Sequence, residues 1–204
     1  MSRLTVAAIV EGHGEEKSAV RTVVTRVWTE LLAGDYVNVL RPIRVPRSKL
    51  VRPADLLRAV DLAELQLRKA TPGDRSLILI LFDADEDLPC VLAPVLVDTL
   101  RRQRSHLDIA VVLANIEFET WFAAAAESLN EFFDLKVVAP AADPEAARQR
   151  KATVVRWMRG EYSETVDQVR LTHAMDLRLC RSRSKSFDKL CRELEKRLQL
   201  TSPA

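Results

Sequence analysis

Cysteine is scarce in this chain, with three residues, Cys90, Cys180 and Cys191, and no C-x-x-C pair. That pattern matches neither a disulfide framework nor a zinc site, and a reducing compartment fits it best. There is no uninterrupted apolar run of the ~20 residues that cross a bilayer. The first apolar run stops at Glu11 and has the character of a strand instead of a secretory signal, so a cytoplasmic location is expected. An excess of charge is missing as well, since 31 basic residues against 29 acidic ones leave a net charge of +2. So small a surplus does not mark a nucleic-acid binder, and such a role must rest on where the charges sit. The sequence carries no internal repeat, low-complexity segment, Walker motif or zinc finger.

What is present describes an ordinary globular chain. Its 204 residues, 48% hydrophobic and 29% charged, suffice for one compact domain with a sizeable core. Leu4 to Val10 is a β-branched apolar run, as expected of a strand buried on both faces. Helical spacing follows in Val20, Val23, Val24, Val27, Trp28 and Leu31, with Gly34 as a stop. Tyr36 to Ile43 suggests a second strand, placed near an edge by Pro42 and Pro46. A helix from Pro53 carries Leu56, Leu57, Val60, Leu65 and Leu67, and Pro72-Gly73-Asp74 breaks it. Ser76 to Phe82 is the most apolar strand. After Pro89 comes a helix with Val91, Leu92, Val95, Leu96 and Leu100 facing inward. Ile109 to Leu113 is a further strand and Phe118 to Ala126 a helix. Asp134 to Arg150 is expected to be a loop or short-helix excursion, and Ser186 to Leu200 an amphipathic helix on Phe187, Leu190, Leu194 and Leu198. The alternation calls for an α/β fold, a mainly parallel sheet flanked by helices on both sides. The expected domain runs over 1–204, with the α/β core at 1–126 and an irregular helical extension at 127–204.

In such sheets the functional crevice lies at the carboxyl ends of the strands. Glu11 follows the first strand, and Asp83 and Asp85 follow the Ser76 strand. If those strands are neighbours and the chain stays extended, three carboxylates converge, and a divalent cation is the simplest compensation. Oxygen ligands favour Mg²⁺ or Mn²⁺ over zinc. Each acid taken singly also suits a solvated loop. Glu117 and Glu119 either reach the same edge, where Glu119 would complete a two-metal arrangement, or occupy a first helical turn favoured by the dipole. Gly12 and Gly14 permit a turn that aims N–H groups at a phosphate, with His13 beside them; a histidine in a polar turn is more often simply exposed. Arg178, Arg181, Arg183 and Lys185 form the clearest basic stretch, with Lys151 and Arg156 a weaker group. Arg183 and Lys185 are the candidates for stabilising charge at a scissile phosphate, against the reading of a solvated charge run. Trp121, Trp157 and Phe187 suit stacking on bases, although their helical spacing suits a core better.

Val10-Glu11-Gly12 with Glu15, followed by Phe82-Asp83-Ala84-Asp85, resembles the Toprim domain of topoisomerases, primases, small RNA-maturing nucleases and overcoming-lysogenization-defect nucleases. Asn115 to Phe122 (NIEFETWF) and Arg183 to Phe187 (RSKSF) resemble a narrower bacterial Toprim-like family of domains of unknown function, the 4276 family, over nearly the whole chain. The resemblance implies a Toprim-like, Rossmann-like fold. Glu11 is then the general acid/base or a metal-adjacent carboxylate, Asp83 and Asp85 are metal ligands, and Asp87 extends the acidic string. Glu15 joins Gly12, His13 and Gly14 on the expected phosphate-binding face, and Arg183 is supported more than Lys185.

The leading expectation is a Mg²⁺- or Mn²⁺-dependent nuclease acting on DNA or RNA, with an ATPase partner implied by the resemblance. A non-catalytic binding or regulatory subunit is the second reading. A metal-dependent phosphatase on a small molecule is the third; the haloacid-dehalogenase pattern wants an early D-x-D-x-T, where this chain has Glu11-Gly12. A homodimer through the C-terminal helix is also open.

Overall fold

The computed structural model describes residues 4–70, 75–134, 150–158 and 162–199, apart from the side chains of Glu15, Lys17 and Arg150. β1 (Leu4–Val10) is buried along its whole length. On one side it pairs with β4 (Arg75–Asp83), on the other with β2 (Val37–Val39) and β3 (Ile43–Arg44), and β5 (Ile109–Ala114) lies outside β4. All these pairings are parallel, which gives the order β2-β1-β4-β5 with β3 beside β1. An α/β sheet flanked by helices is therefore what the chain adopts.

β2 and β3 divide what the sequence suggested as one strand. Pro42 between them has no N–H to offer β1. The ladder holds on either side of it, where the Leu40 N–H donates to the Val6 carbonyl (2.9 Å) and the Val45 N–H to the Val10 carbonyl (2.8 Å).

The chain is helical from Glu15 to Leu31, as α1 (Val20–Arg26) between two π-helical turns. It ends at Ala33, in the left-handed region at φ 55°, while a Cβ on Gly34 would run into the Trp28 indole. On the opposite face lie the short α2 (Arg47–Leu50), α3 (Pro53–Ala70) and α4 (Pro89–Gln103). The face of α1 also carries α5 (Glu119–Ala124), α6 (Arg150–Trp157), α7 (Asp167–Ala174), α8 (Leu177–Arg183) and α9 (Lys185–Gln199). Alternation along β4 serves both layers, with Leu77, Leu79 and Leu81 in the α1-side core and Ile78, Ile80 and Phe82 in the other.

Three apolar residues expected inside face out. Leu65 is 47% exposed, Val91 59% and Val95 57%. α3 buries Leu56, Ala59, Val60, Ala63 and Leu67 instead, and α4 packs through Leu92, Leu96 and Leu100. The small alanines of α3 let it lie close to the sheet, so its stripe is narrower than a count of large residues suggests. The expected excursion over Asp134 to Arg150 lies almost wholly outside the described residues.

Candidate functional site

A parallel sheet gathers the carboxyl ends of its strands along one edge. Val10 pairs with Leu81, so Glu11 comes level with the end of β4 where Asp83 stands. Backbone N–H groups of Asp83 and Arg47 point at the half-buried Glu11 carboxylate. Its Oε2 is nevertheless buried, with no hydrogen-bond partner among the described residues. Burial first, and then the charge of Asp85, hold the Glu11 carboxyl above the usual carboxylate range, with Arg47 pulling against them.

The chain does not stay extended past Asp83. Asp85 turns into the left-handed region (φ 50°), and its N–H donates to the carbonyl of Ile116, itself at φ 65° (2.9 Å). The Ala84 N–H donates to the Ala114 carbonyl (2.9 Å), so the ends of β4 and β5 are tied together. Positive φ is unusual for a β-branched residue such as Ile116 and costs of order 1 kcal/mol or more. The alternation that would aim Asp83 and Asp85 the same way is broken by this turn.

Arg47, at the start of α2, went unnoticed in the sequence. Its guanidinium donates to the carbonyls of Asp83 (3.3 Å) and Ala84 (3.1 Å), pairs with Asp85 (3.1 Å) and also pairs with Asp87. One side chain, 22% exposed, thus serves two carbonyls and two carboxylates. The available signal was Pro46, which opens a helical turn directly after a strand paired to the end of β1. Among the described residues no three Asp, Glu, His or Cys side chains sit close enough to hold an ion together. The carboxylate oxygens suit a hard divalent cation, and Glu11 Oε2 is an acceptor still open to one.

The turn after β1 differs from the expected phosphate cradle. His13 is exposed and the Gly12 carbonyl accepts from the Glu16 N–H at 3.2 Å. Gly14 is buried in ordinary helical conformation (φ −67°), and a Cβ there would lie 2.6 Å from the Glu164 carbonyl oxygen and against the Gln168 amide. Its role is close approach to the segment that leads into α7. The Glu15 side chain lies outside the described ones. Gly14→Ala should cost about 1–3 kcal/mol, because backbone must move to admit the methyl; urea unfolding of the variant beside wild type reads this directly.

Glu119 opens α5 and is 3% exposed. The Tyr162 hydroxyl donates to it at 2.6 Å, while the Lys151 N–H donates to Glu117 (2.6 Å) and the Lys151 ammonium pairs with Glu164. Burial raises the Glu119 carboxyl above the usual range, with the Tyr162 hydrogen bond and its own backbone N–H opposing. An acid with a raised folded pKa is stabilising to keep protonated, so stability falls as pH rises from the ordinary carboxylate value to the folded one. Glu119→Gln keeps an acceptor for Tyr162 and cannot ionise. It should exceed wild type in stability by roughly 1–2 kcal/mol at about pH 8, with the difference vanishing near pH 4; denaturation midpoints at the two pH values check it.

The basic stretch is dispersed rather than pooled. Asp176 caps α8 by accepting from the N–H groups of Arg178 (2.8 Å) and Leu179 (2.9 Å), and this helix fans the cations apart. Arg181 pairs with Asp188 and Glu195 (3.0 Å each), and Arg183 with Glu127 (2.7 Å). Arg178 lies beside Arg26 and Glu30. Lys185, at the start of α9, shares a cleft with Asn115 just past β5. Trp121 and Phe187 are fully buried, and Trp157 nearly so.

Fold and edge together define a class: a parallel α/β protein with acidic residues collected where its two central strands end. Residues 10–195 match the family model described as domain of unknown function (DUF4276), and the chain belongs to that family. No curated protein and no solved structure matches it.

Proposed function

We propose that this chain is a metal-dependent nuclease on a Toprim-like core, with Glu11 and Asp83 taking up Mg²⁺ or Mn²⁺, and Asp85 and Asp87 joining them only when Arg47 releases them. The observation that carries this is the open, buried Oε2 of Glu11 beside Asp83 on the adjoining strand. A bound ion would activate water and stabilise charge on a phosphodiester. Burial and the charge of Asp85 hold the Glu11 carboxyl above the usual range, and a bound divalent cation would offset both and keep it ionised, as a ligand requires. Arg47 neutralises Asp85 and Asp87, and released from them it is a cation at hand for a phosphate at this edge. Arg183, held by Glu127, is less suited to that role than the sequence suggested. Nucleic acid is the proposed substrate and an ATPase the proposed partner protein. Three free cysteines suit the proposed cytoplasmic setting, and among the described residues no helix is long and apolar enough to cross a membrane.

One observation favours a second reading, that of a non-catalytic regulatory subunit: Arg47 already supplies the charge that Asp85 and Asp87 call for. The deciding experiment offers labelled single- and double-stranded DNA and RNA with Mg²⁺ or Mn²⁺. Cleavage that stops with chelator is expected of the nuclease. Failure to cut any substrate, by protein that nonetheless binds the ion, selects the regulatory subunit.

A further inference from the structure

From Tyr36 to Ala54 the chain holds five basic residues, Arg41, Arg44, Arg47, Lys49 and Arg52, and no acidic one. The sheet brings this run to the acidic edge. Arg44 is level with Val10, one residue before Glu11, and the Val45 N–H donates to the Val10 carbonyl (2.8 Å). Ile43 and Val45 pack against the α3-side core, so strand alternation turns Arg44 to the α1 side. Arg41 reaches Glu16 on that side at 3.7 Å. Across the sheet, Lys49 lies on α2 and Arg52 in the turn that leads into α3. Cations therefore flank Glu11 on both faces of the sheet, with Arg47 between them.

Among the described residues the ion pairs of this run are those of Arg41 with Glu16 and of Arg47 with Asp85 and Asp87. Arg44, Lys49 and Arg52 are exposed and have no carboxylate partner there. The stretch from Arg178 to Lys185 differs, since Arg181 and Arg183 are held by carboxylates. Between Val37 and Asp61 no large hydrophobic side chain is exposed, which leaves a protein partner or a bilayer without an apolar anchor. No aromatic residue lies between Tyr36 and Phe82, so this surface has nothing to stack on bases. What it offers is unpaired positive charge, the feature that binds a phosphate backbone of any sequence.

Building on the nuclease reading above, we propose that Arg44, Lys49 and Arg52 form a track for the phosphate backbone of duplex nucleic acid, which leads it across the Glu11 edge without reading its bases. Asp85 and Asp87 are held by Arg47, so they oppose an arriving phosphate less than free carboxylates would. The binding face is thereby β3 and α2, in place of the C-terminal stretch.

Fluorescence anisotropy in EDTA tests this, because binding is then read apart from metal and from cleavage. The probes are two labelled duplexes of about 20 base pairs with unrelated sequences, titrated from about 50 to 200 mM salt. Wild type should bind the two within about threefold of each other. Arg44→Ala, Lys49→Ala and Arg52→Ala combined should weaken binding at least tenfold at the lowest salt. The slope of log affinity against log salt should fall by about 2 to 3, at roughly 0.9 per phosphate contact. All three side chains are exposed, so the urea midpoint should not move. Arg178→Ala with Lys185→Ala should change affinity less than twofold. A triple variant that binds as wild type does overturns the track and leaves the nuclease reading standing. Affinities that differ more than tenfold between the two sequences overturn it too, as does polyglutamate that competes as well as duplex at equal charge. If wild type binds neither duplex yet cuts one with Mn²⁺, the track alone fails; if it neither binds nor cuts, the nuclease reading fails with it.

Discussion

Asp83→Ala should lower metal-dependent cleavage by about a hundredfold or more while leaving the fold in place. Asp83 is the last residue of β4, paired with Ala114 through its backbone, and that pairing does not need its side chain. Its N–H, which points at the Glu11 carboxylate, also survives the change. What disappears is one of two carboxylates on adjoining central strands, and removing a preorganised charge at a reacting centre typically costs 10²- to 10³-fold. Unfolding free energy should move by no more than about 1 kcal/mol, since loss of one like charge offsets loss of solvation. Asp87→Ala is the control: Asp87 is exposed and its pairing is with Arg47, so a few-fold loss is expected. Turnover of the preferred substrate with Mn²⁺, set beside urea unfolding of the same samples, separates a damaged site from a damaged fold.

Trp121→Ala should cost roughly 3–5 kcal/mol, the range for truncating a large buried aromatic. The ring is fully buried, with Phe118 at 4.6 Å and Phe187 at 5.1 Å between centroids, and its Nε1–H donates to the Ser186 Oγ at 3.0 Å. It joins α5, which leaves the end of β5, to the first turn of α9. The alanine variant opens a cavity and leaves the Ser186 hydroxyl with its Ser184 partner (3.1 Å) but without the indole, so α9 should loosen from the sheet. Trp121→Phe fills most of the space and loses the hydrogen bond, with about 1–2 kcal/mol expected. If Trp121 stacked on bases instead, both variants would keep wild-type stability and lose nucleic-acid affinity. Denaturant unfolding decides between these outcomes.

The parallel sheet was legible because buried strands need both faces apolar, and Leu4 to Val10 and Ser76 to Phe82 are written that way. Their adjacency put Glu11 beside Asp83, as the strand-end pattern suggested. Arg47 was not legible, because its place depends on how β3 registers against β1. That register follows from a proline gap of no special appearance. The basic run from Arg178 to Lys185 looked like one patch in the sequence, and the cap at Asp176 turned it into a helix with its cations on separate sides. Val91 and Val95 fit an apolar spacing but fall outside the narrower stripe through which α4 meets the sheet. Gly14 looked like a phosphate turn, whereas its lack of a side chain answers to Glu164, distant in sequence.

The central claim is that the edge formed by Glu11 and Asp83 takes up a divalent cation, and calorimetric titration with Mn²⁺ tests it most directly. Wild type should bind Mn²⁺, Asp83→Ala and Glu11→Gln should bind it at least tenfold more weakly, and Arg47→Ala should bind no more weakly than wild type. Wild-type protein that takes up no Mn²⁺, or Asp83→Ala that binds it as tightly as wild type, would contradict the account.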